Sequence, residues 1–120
     1  MTAVPRLACT VLAFAAFAAP SAAVAQSYPT KAIRLILPFP PGGPTDIAGR
    51  AIAQKLSEQM HQPVIADNRP GATSNIGLEL TAKSPPDGYT IVLTPPSIAL
   101  SPSMYKKLNY DAMRDLLPLS

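Results

Sequence analysis

The sequence LILPFPPGGPTDIAGR, residues 35–50, limits the possible folds more than any other stretch of the chain. An apolar run that contains Pro38 meets three more prolines and a glycine pair, and a segment with helical spacing begins there. Proline has no N–H to donate inside a sheet, and glycine is favoured where the backbone needs a positive φ. The stretch therefore predicts a buried strand, a tight turn and the start of a helix, in that order.

The rest of the chain alternates between short apolar runs and segments with helical spacing. Strands are predicted over 33–39, 64–67 and 90–94, and helices over 44–60, from 74 or 75 to 83, and over 101–107. The first run does not alternate strictly between apolar and polar residues, which indicates burial on both faces of a parallel sheet. This order predicts an α/β fold with a parallel sheet, flanking helices and right-handed crossovers.

The first predicted helix has clear start and stop signals. Gly43 can serve as N-cap, Pro44 suits the first position and Asp46 complements the helix dipole, while His61 precedes Gln62-Pro63 at the end. Its spacing predicts an inward-facing stripe, namely Ile47, Ala48, Ala51, Ile52, Leu56 and Met60. The inward residues expected for the second helix are Ile76 and Leu80, with Leu78 a further candidate.

The first 25 residues have the pattern of an export signal. Arg6 precedes an apolar run over 7–19, and the small residues that follow end in an A-x-A site, which predicts cleavage between Ala25 and Gln26. A transmembrane anchor is the alternative interpretation, but a bilayer core needs roughly 20 apolar residues. The apolar run is shorter than that and Pro20 follows it, so we expect a cleaved signal and an exported protein.

Composition excludes several classes of function. Cys9 is the only cysteine and lies inside the predicted signal, so the mature chain has no thiol for a disulfide, a nucleophile or a metal site. Without Arg6, nine basic residues face seven acidic ones, a net charge of +2 that is too small and scattered to indicate nucleic acid. No later segment is apolar enough to predict a stable membrane span after signal cleavage.

Three loops follow the predicted strands, at the sheet edge where open parallel sheets bind ligands. Their sequences are PFPPGGPTD, NRPGATSN and TPPSIALS. A glycine pair before a helix start lets backbone N–H groups approach an anion, yet the same glycines can serve only as turn and cap residues. The residues alone leave both interpretations open. Neither the P-loop pattern nor the dinucleotide fingerprint fits the adjacent Gly42 and Gly43.

The sequence contains little evidence of a catalytic or metal-binding motif. His61 is the only histidine, and its place at a helix end predicts a C-cap. Asp46 is explained by the helix start and Asp87-Gly88 by a turn, and the G-x-S-x-G motif is absent. We therefore expect that the protein is not an enzyme and that it binds neither a metal nor a cofactor.

Four sequence blocks occur together and in order, namely PFPPGGPTD, QPVIADNRPGATSNIG, PPDGYT and SPSMYKKLNYD. This combination strongly resembles the start of mature Bug-type periplasmic solute-binding receptors, the extracytoplasmic component of tripartite tricarboxylate transporters. The resemblance implies a periplasmic Venus-flytrap protein of two α/β lobes that closes on a small carboxylate, such as a dicarboxylate or tricarboxylate. Backbone amides, short hydroxyls and ordered water would hold the ligand, and the membrane components of the transporter are further candidate partners.

The resemblance also implies ligand-facing residues in all three loops. Carried over by position, they are Phe39, Gly42, Gly43, Thr45 and Asp46 in the first loop, Ser74 and Asn75 in the second, and Ser97 in the third. The chain departs from the family pattern at Pro95-Pro96, which would stiffen the third loop, and at Thr73-Ser74, where relatives have a glycine pair.

The implied organisation has three parts: a signal peptide over 1–25, part of the first lobe over 26–108, and the start of a crossover over 109–120. Family members continue further, so we expect the isolated chain to be marginally stable, with open sheet edges. The predicted function is carboxylate binding for transporter-mediated uptake, impaired by the missing second lobe. The alternatives are a relic without ligand function, a small interaction protein or an exported enzyme.

Overall fold

The alternating order predicted from the sequence is present in the computed structural model, which describes residues 27–119. The elements are β1 (Ile33–Leu37), α1 (Pro44–Met60), β2 (Val64–Asn68), α2 (Asn75–Ala82), β3 (Thr90–Val92), a 3-10 helix (Pro96–Leu100) and α3 (Ser101–Met104). The bounds of α1 agree with the prediction, and α3 is shorter than predicted. The predicted signal, its cleavage point at Ala25 and Gln26, and Cys9 lie outside the described residues.

Strand β1 is the centre of a three-stranded parallel sheet with the order β2-β1-β3. Leu35 pairs with Ala66 on one side and with Ile91 on the other. Ile36 and Leu37 are fully buried, as the unbroken apolar run predicted for a strand covered on both faces. The predicted α/β class is confirmed.

Helices α1 and α2 cover opposite faces of the sheet at the end of β1. A Cβ atom on Gly49 of α1 would lie 2.4 Å from Leu37 Cδ2, and one on Gly77 of α2 would lie 2.8 Å from Pro38 Cβ. Successive residues of an extended segment point to opposite faces, so α1 contacts the Leu37 face and α2 the Pro38 face. Both contacts depend on a glycine because the helices approach the strand closely.

The inward face of α1 differs from the predicted stripe. Its buried residues are Asp46, Gly49 and Ala53. Leu56 and Met60 pack against the core as predicted, but Ile47 is 65% exposed. The prediction is wrong for Ile47, Ala48, Ala51 and Ile52. The physical reason is the short distance between α1 and β1, which admits only small residues at the contact.

Helix α2 shows the same effect on a smaller scale. Leu78 is 1% exposed and is the main apolar anchor of the helix, while Leu80 is half-buried. Ile76 is 50% exposed, so its predicted inward orientation is wrong. Because Gly77 occupies the position closest to Pro38, its neighbour Ile76 is turned away from the sheet. In residues 27–119, no helix is both long and apolar enough to cross a bilayer.

The packing of α2 predicts that Gly77→Ala is destabilising. The added methyl would meet the rigid Pro38 ring at 2.8 Å and the Arg69 carbonyl oxygen at 3.2 Å. Overpacking of this kind costs typically 1–3 kcal/mol, more than the gain of about 1 kcal/mol from alanine in a helix. We expect the free energy of urea unfolding to fall. The matched control, Ile76→Ala, should change it by less than about 1 kcal/mol. A costly Ile76→Ala beside a neutral Gly77→Ala would contradict this orientation of α2.

Candidate functional site

The loop between β1 and α1 turns sharply just before the helix start. Gly42 has a φ of +84°, in the left-handed region that favours glycine. Gly43 is the N-cap in extended geometry, and no side chain among residues 27–119 caps this helix end with a hydrogen bond. Pro44 begins the helix. The partial positive charge of a 17-residue helix therefore lies next to a loop built from main chain.

The carboxylate of Asp46 holds this loop in place. Asp46 is 4% exposed, and its oxygens accept hydrogen bonds from the Gly42 N–H at 2.9 Å, from Arg50 Nε at 3.0 Å and from Asn68 Nδ2 at 2.8 Å. The hydrogen bond from Arg50, followed by those from Gly42 and Asn68, lowers the pKa of Asp46 to about 2. We call Asp46, Gly42, Arg50 and Asn68 the Asp46 clamp.

The Asn68 side chain makes two further hydrogen bonds. Its Nδ2 also donates to the Phe39 carbonyl oxygen at 3.1 Å, and its Oδ1 accepts from Arg50 Nη2 at 2.8 Å. Because Asn68 ends β2 and Phe39 follows β1, the clamp fixes the first loop against the neighbouring strand. Neither Asn68 nor Arg50 was predicted to have this role. The available signal was an amide side chain directly after the strand predicted over 64–67.

The second loop has an unusual backbone. Ala72, Thr73 and Ser74 all have positive φ values, at 45°, 51° and 76°, although none is a glycine. Ser74 is the N-cap of α2 and Asn75 its first residue, and both are buried. Tyr110 donates a hydrogen bond from its hydroxyl to Asn75 Oδ1 at 2.6 Å. The loop thus brings short polar side chains to the start of a second helix.

The third loop meets the second. The backbone of Ser97 lies in the 3-10 helix that follows β3, and its side chain lies outside the described part of the structure. The helix begins at Pro96 after the extended Pro95, so the two prolines do shape this loop. A cavity of about 40 Å³ is lined by both loops and α3, namely by Thr73, Ser74, Leu78, Thr94, Ile98, Ser101, Met104 and Tyr105.

The structure therefore places the predicted site residues in two groups. The clamp contains Gly42 and Asp46, its Asn68 donates to the Phe39 carbonyl oxygen, and Gly43 and Thr45 lie at the adjoining helix start. Ser74 and Asn75 lie together at the start of α2. Because the Asp46 carboxylate is engaged by the clamp, what this residue can offer an anion is its main-chain N–H. The ligand-facing role of all these residues, and of Ser97, stays a prediction.

A larger depression of about 370 Å³ lies over the start of β1 and the middle of β2. It is lined by Ala32, Ile33, Arg34, Ile65, Ala66 and Asp67. Asp67 accepts hydrogen bonds from Arg34 and Arg69, which lower the pKa of its carboxyl group against the opposing effect of burial. None of the predicted ligand-facing residues whose side chains the structure describes lines this depression.

The predicted domain boundary between residues 108 and 109 stays a prediction. Beyond it, Asn109 donates to the Glu79 carboxylate at 3.3 Å, and Tyr110 contacts Asn75. Both contacts tie this segment to α2.

The clamp predicts an acid-sensitive contribution to stability. The pKa of Asp46 in the folded chain, about 2, lies below its ordinary value of 3.8. Stabilisation is therefore present above the ordinary value and is lost as the pH falls through the folded one. Asp46→Asn should be less stable at neutral pH and should lose less stability between about pH 4 and about pH 2. Urea midpoints across this window measure the difference.

Glu58→Gln is the control for this experiment. Glu58 is exposed, and within the part of the chain that the structure describes its side chain bonds only to Gln54 and Lys55 of its own helix, so we expect Glu58→Gln to keep wild-type acid sensitivity. The same acid dependence in wild type and Asp46→Asn would show that the clamp carboxylate does not contribute.

Comparison with known proteins connects this arrangement to one family. The family described as "Tripartite tricarboxylate transporter family receptor" matches residues 48–120. The chain is 42% identical over 111 residues to the protein BugT of Bordetella pertussis, an alignment that covers 91% of this chain and 33% of BugT. The chain spans about a third of the length of the curated relatives it matches.

Solved structures are similar to this chain as well. The Rhodopseudomonas palustris protein Rpa4515 with adipate is 39% identical with a TM-score of 0.67, over 72% of this chain and 29% of that one. MatC from the same organism, with bound malate, is 29% identical with a TM-score of 0.65, over 76% of this chain and 31% of that one. The fold described above is therefore part of the fold of these proteins. The chain belongs to the Bug-type receptors of the tripartite tricarboxylate transporter family, as its sequence blocks predicted.

Proposed function

We propose that this chain forms the first ligand-binding loops of a periplasmic receptor that captures a small carboxylate for uptake. The observation that carries the proposal is the uncapped start of α1, held in place by the Asp46 clamp. The bound adipate and malate named for the two structural relatives support a dicarboxylate as the ligand class. Binding rather than catalysis is the activity that the family description, a receptor, supports.

The electrostatics of the first loop favour an anion. The start of a long helix carries about half a positive charge, and each favourable interaction with it is worth typically 0.3–1 kcal/mol. The negative charge of Asp46 does not cancel this field, because Arg50 pairs with the carboxylate at 3.0 Å. Gly43 has no side chain to occupy the space in front of the Thr45 and Asp46 N–H groups. A ligand carboxylate can accept hydrogen bonds at this position.

The remaining predicted residues complete the proposal. Phe39 and Gly42 would shape the first loop around the ligand, and Ser74, Asn75 and Ser97 would add polar contacts from the other two loops. Export by the predicted signal peptide would place the chain in the periplasm. The membrane components of a tripartite tricarboxylate transporter would be its partners in uptake.

A substitution at the N-cap separates ligand binding from stability. In Gly43→Asp the new carboxylate would cap the helix itself, because the extended backbone of Gly43 suits an N-cap and the nearest atom to a new Cβ is the Pro40 carbonyl oxygen at 3.7 Å. We expect unchanged or slightly higher stability, by a few tenths of a kcal/mol. We expect the Kd for adipate and malate in isothermal titration to rise at least about tenfold, which corresponds to about 1.4 kcal/mol.

Gly43→Ala is the matched control. It adds a methyl group without a carboxylate, so it should lower stability slightly and leave the affinity near that of the wild type. If Gly43→Asp bound dicarboxylates with the wild-type Kd, the carboxylate would have to bind somewhere other than the start of α1. A folded wild-type chain that binds neither ligand would contradict the proposed function.

A further inference from the structure

A buried polar pair joins two distant parts of the chain. Asn75 and Tyr110 are each 7% exposed, and the Tyr110 hydroxyl lies 2.6 Å from Asn75 Oδ1. Tyr110 belongs to the segment after α3, whereas Asn75 is the first residue of α2. The pair is therefore a long-range contact at the second predicted ligand loop.

The hydrogen bond fixes the orientation of the amide. An asparagine side chain can present either its oxygen or its nitrogen to a neighbour. Burial raises the pKa of the Tyr110 phenol, an effect that the Ser101 hydroxyl partly opposes, and in this structure the hydroxyl faces the oxygen of the amide. Asn75 Oδ1 accepts from it, and Nδ2 forms the other end of the amide.

Asn75 Nδ2 is fully buried and has no hydrogen-bond partner among residues 27–119. A buried donor without an acceptor is costly for the fold, and native structures contain few of them. Such a donor indicates a site where a bound ligand supplies the acceptor. A carboxylate oxygen is an acceptor-only group that satisfies an amide N–H.

We propose that Tyr110 is a positioning residue, which fixes the Asn75 amide so that Nδ2 donates to the carboxylate ligand. The proposal rests on the proposed function and adds a specific donor and the residue that orients it. In this proposal the segment after α3 contributes to the site through Tyr110.

Asn75→Asp tests the donor. This change keeps an oxygen for Tyr110 but replaces the N–H donor with an acceptor that repels a carboxylate. We expect the Kd for adipate and malate to rise at least about tenfold at neutral pH. The ratio to the wild-type Kd should shrink toward about pH 5, as the new carboxyl group gains a proton. Circular dichroism verifies that each variant is folded.

A double-mutant cycle tests the role of Tyr110. Tyr110→Phe should raise the Kd about tenfold in wild type and have little further effect in Asn75→Ala, because Tyr110 acts through Asn75. If Asn75→Ala does not fold, the Asn75→Asp titration decides alone. Tyr28→Phe removes a hydroxyl that donates to the Gly88 carbonyl oxygen near the start of β3, and we expect wild-type affinity.

Two results would overturn the inference in distinguishable ways. Wild-type affinity in Asn75→Asp, or equal effects of Tyr110→Phe with and without Asn75, would reject it while dicarboxylate binding stands. A folded wild-type chain that binds neither adipate nor malate would reject the proposed function and this inference together.

Discussion

The hydrogen bonds of the Asp46 carboxylate are the interaction on which the candidate site depends. One buried charge joins the first loop, helix α1 and the end of β2, through Gly42, Arg50 and Asn68. Burial of a charge is costly unless it is paired and hydrogen-bonded, and here both conditions are met. The clamp leaves the start of α1 open, because the Asp46 carboxylate oxygens are directed at the first loop and at β2.

The strands, the long helix and the turns could be predicted because local signals agree with the fold. The prolines and glycines indicated the position of the first loop, and Gly43, Pro44 and His61 marked both ends of α1. The direction in which the helices face could not be predicted in the same way. Periodicity favours large apolar residues at the contact, but close approach to β1 selected Gly49 and Gly77.

The candidate site was predictable only in part, since its residues are brought together by tertiary contacts. The glycine pair and the helix start were visible as a pattern, and the family resemblance supplied their interpretation. Arg50 and Tyr110 had no local signal, and Asn68 had only its position after the predicted strand, because each acts through a partner at least four positions away. Asp46 was expected at the helix start, but its part in fixing the loop follows only from the fold.

The central claim is that the start of α1 is the place where a carboxylate binds, and backbone amide chemical shifts test it most directly. In a titration of the ¹⁵N-labelled chain with adipate, the account predicts saturable changes that are largest at the amides of Gly43, Thr45 and Asp46. Largest changes at Arg34, Ile65 and Asp67, around the open depression, would contradict it. The absence of saturable changes in the folded chain would contradict it as well.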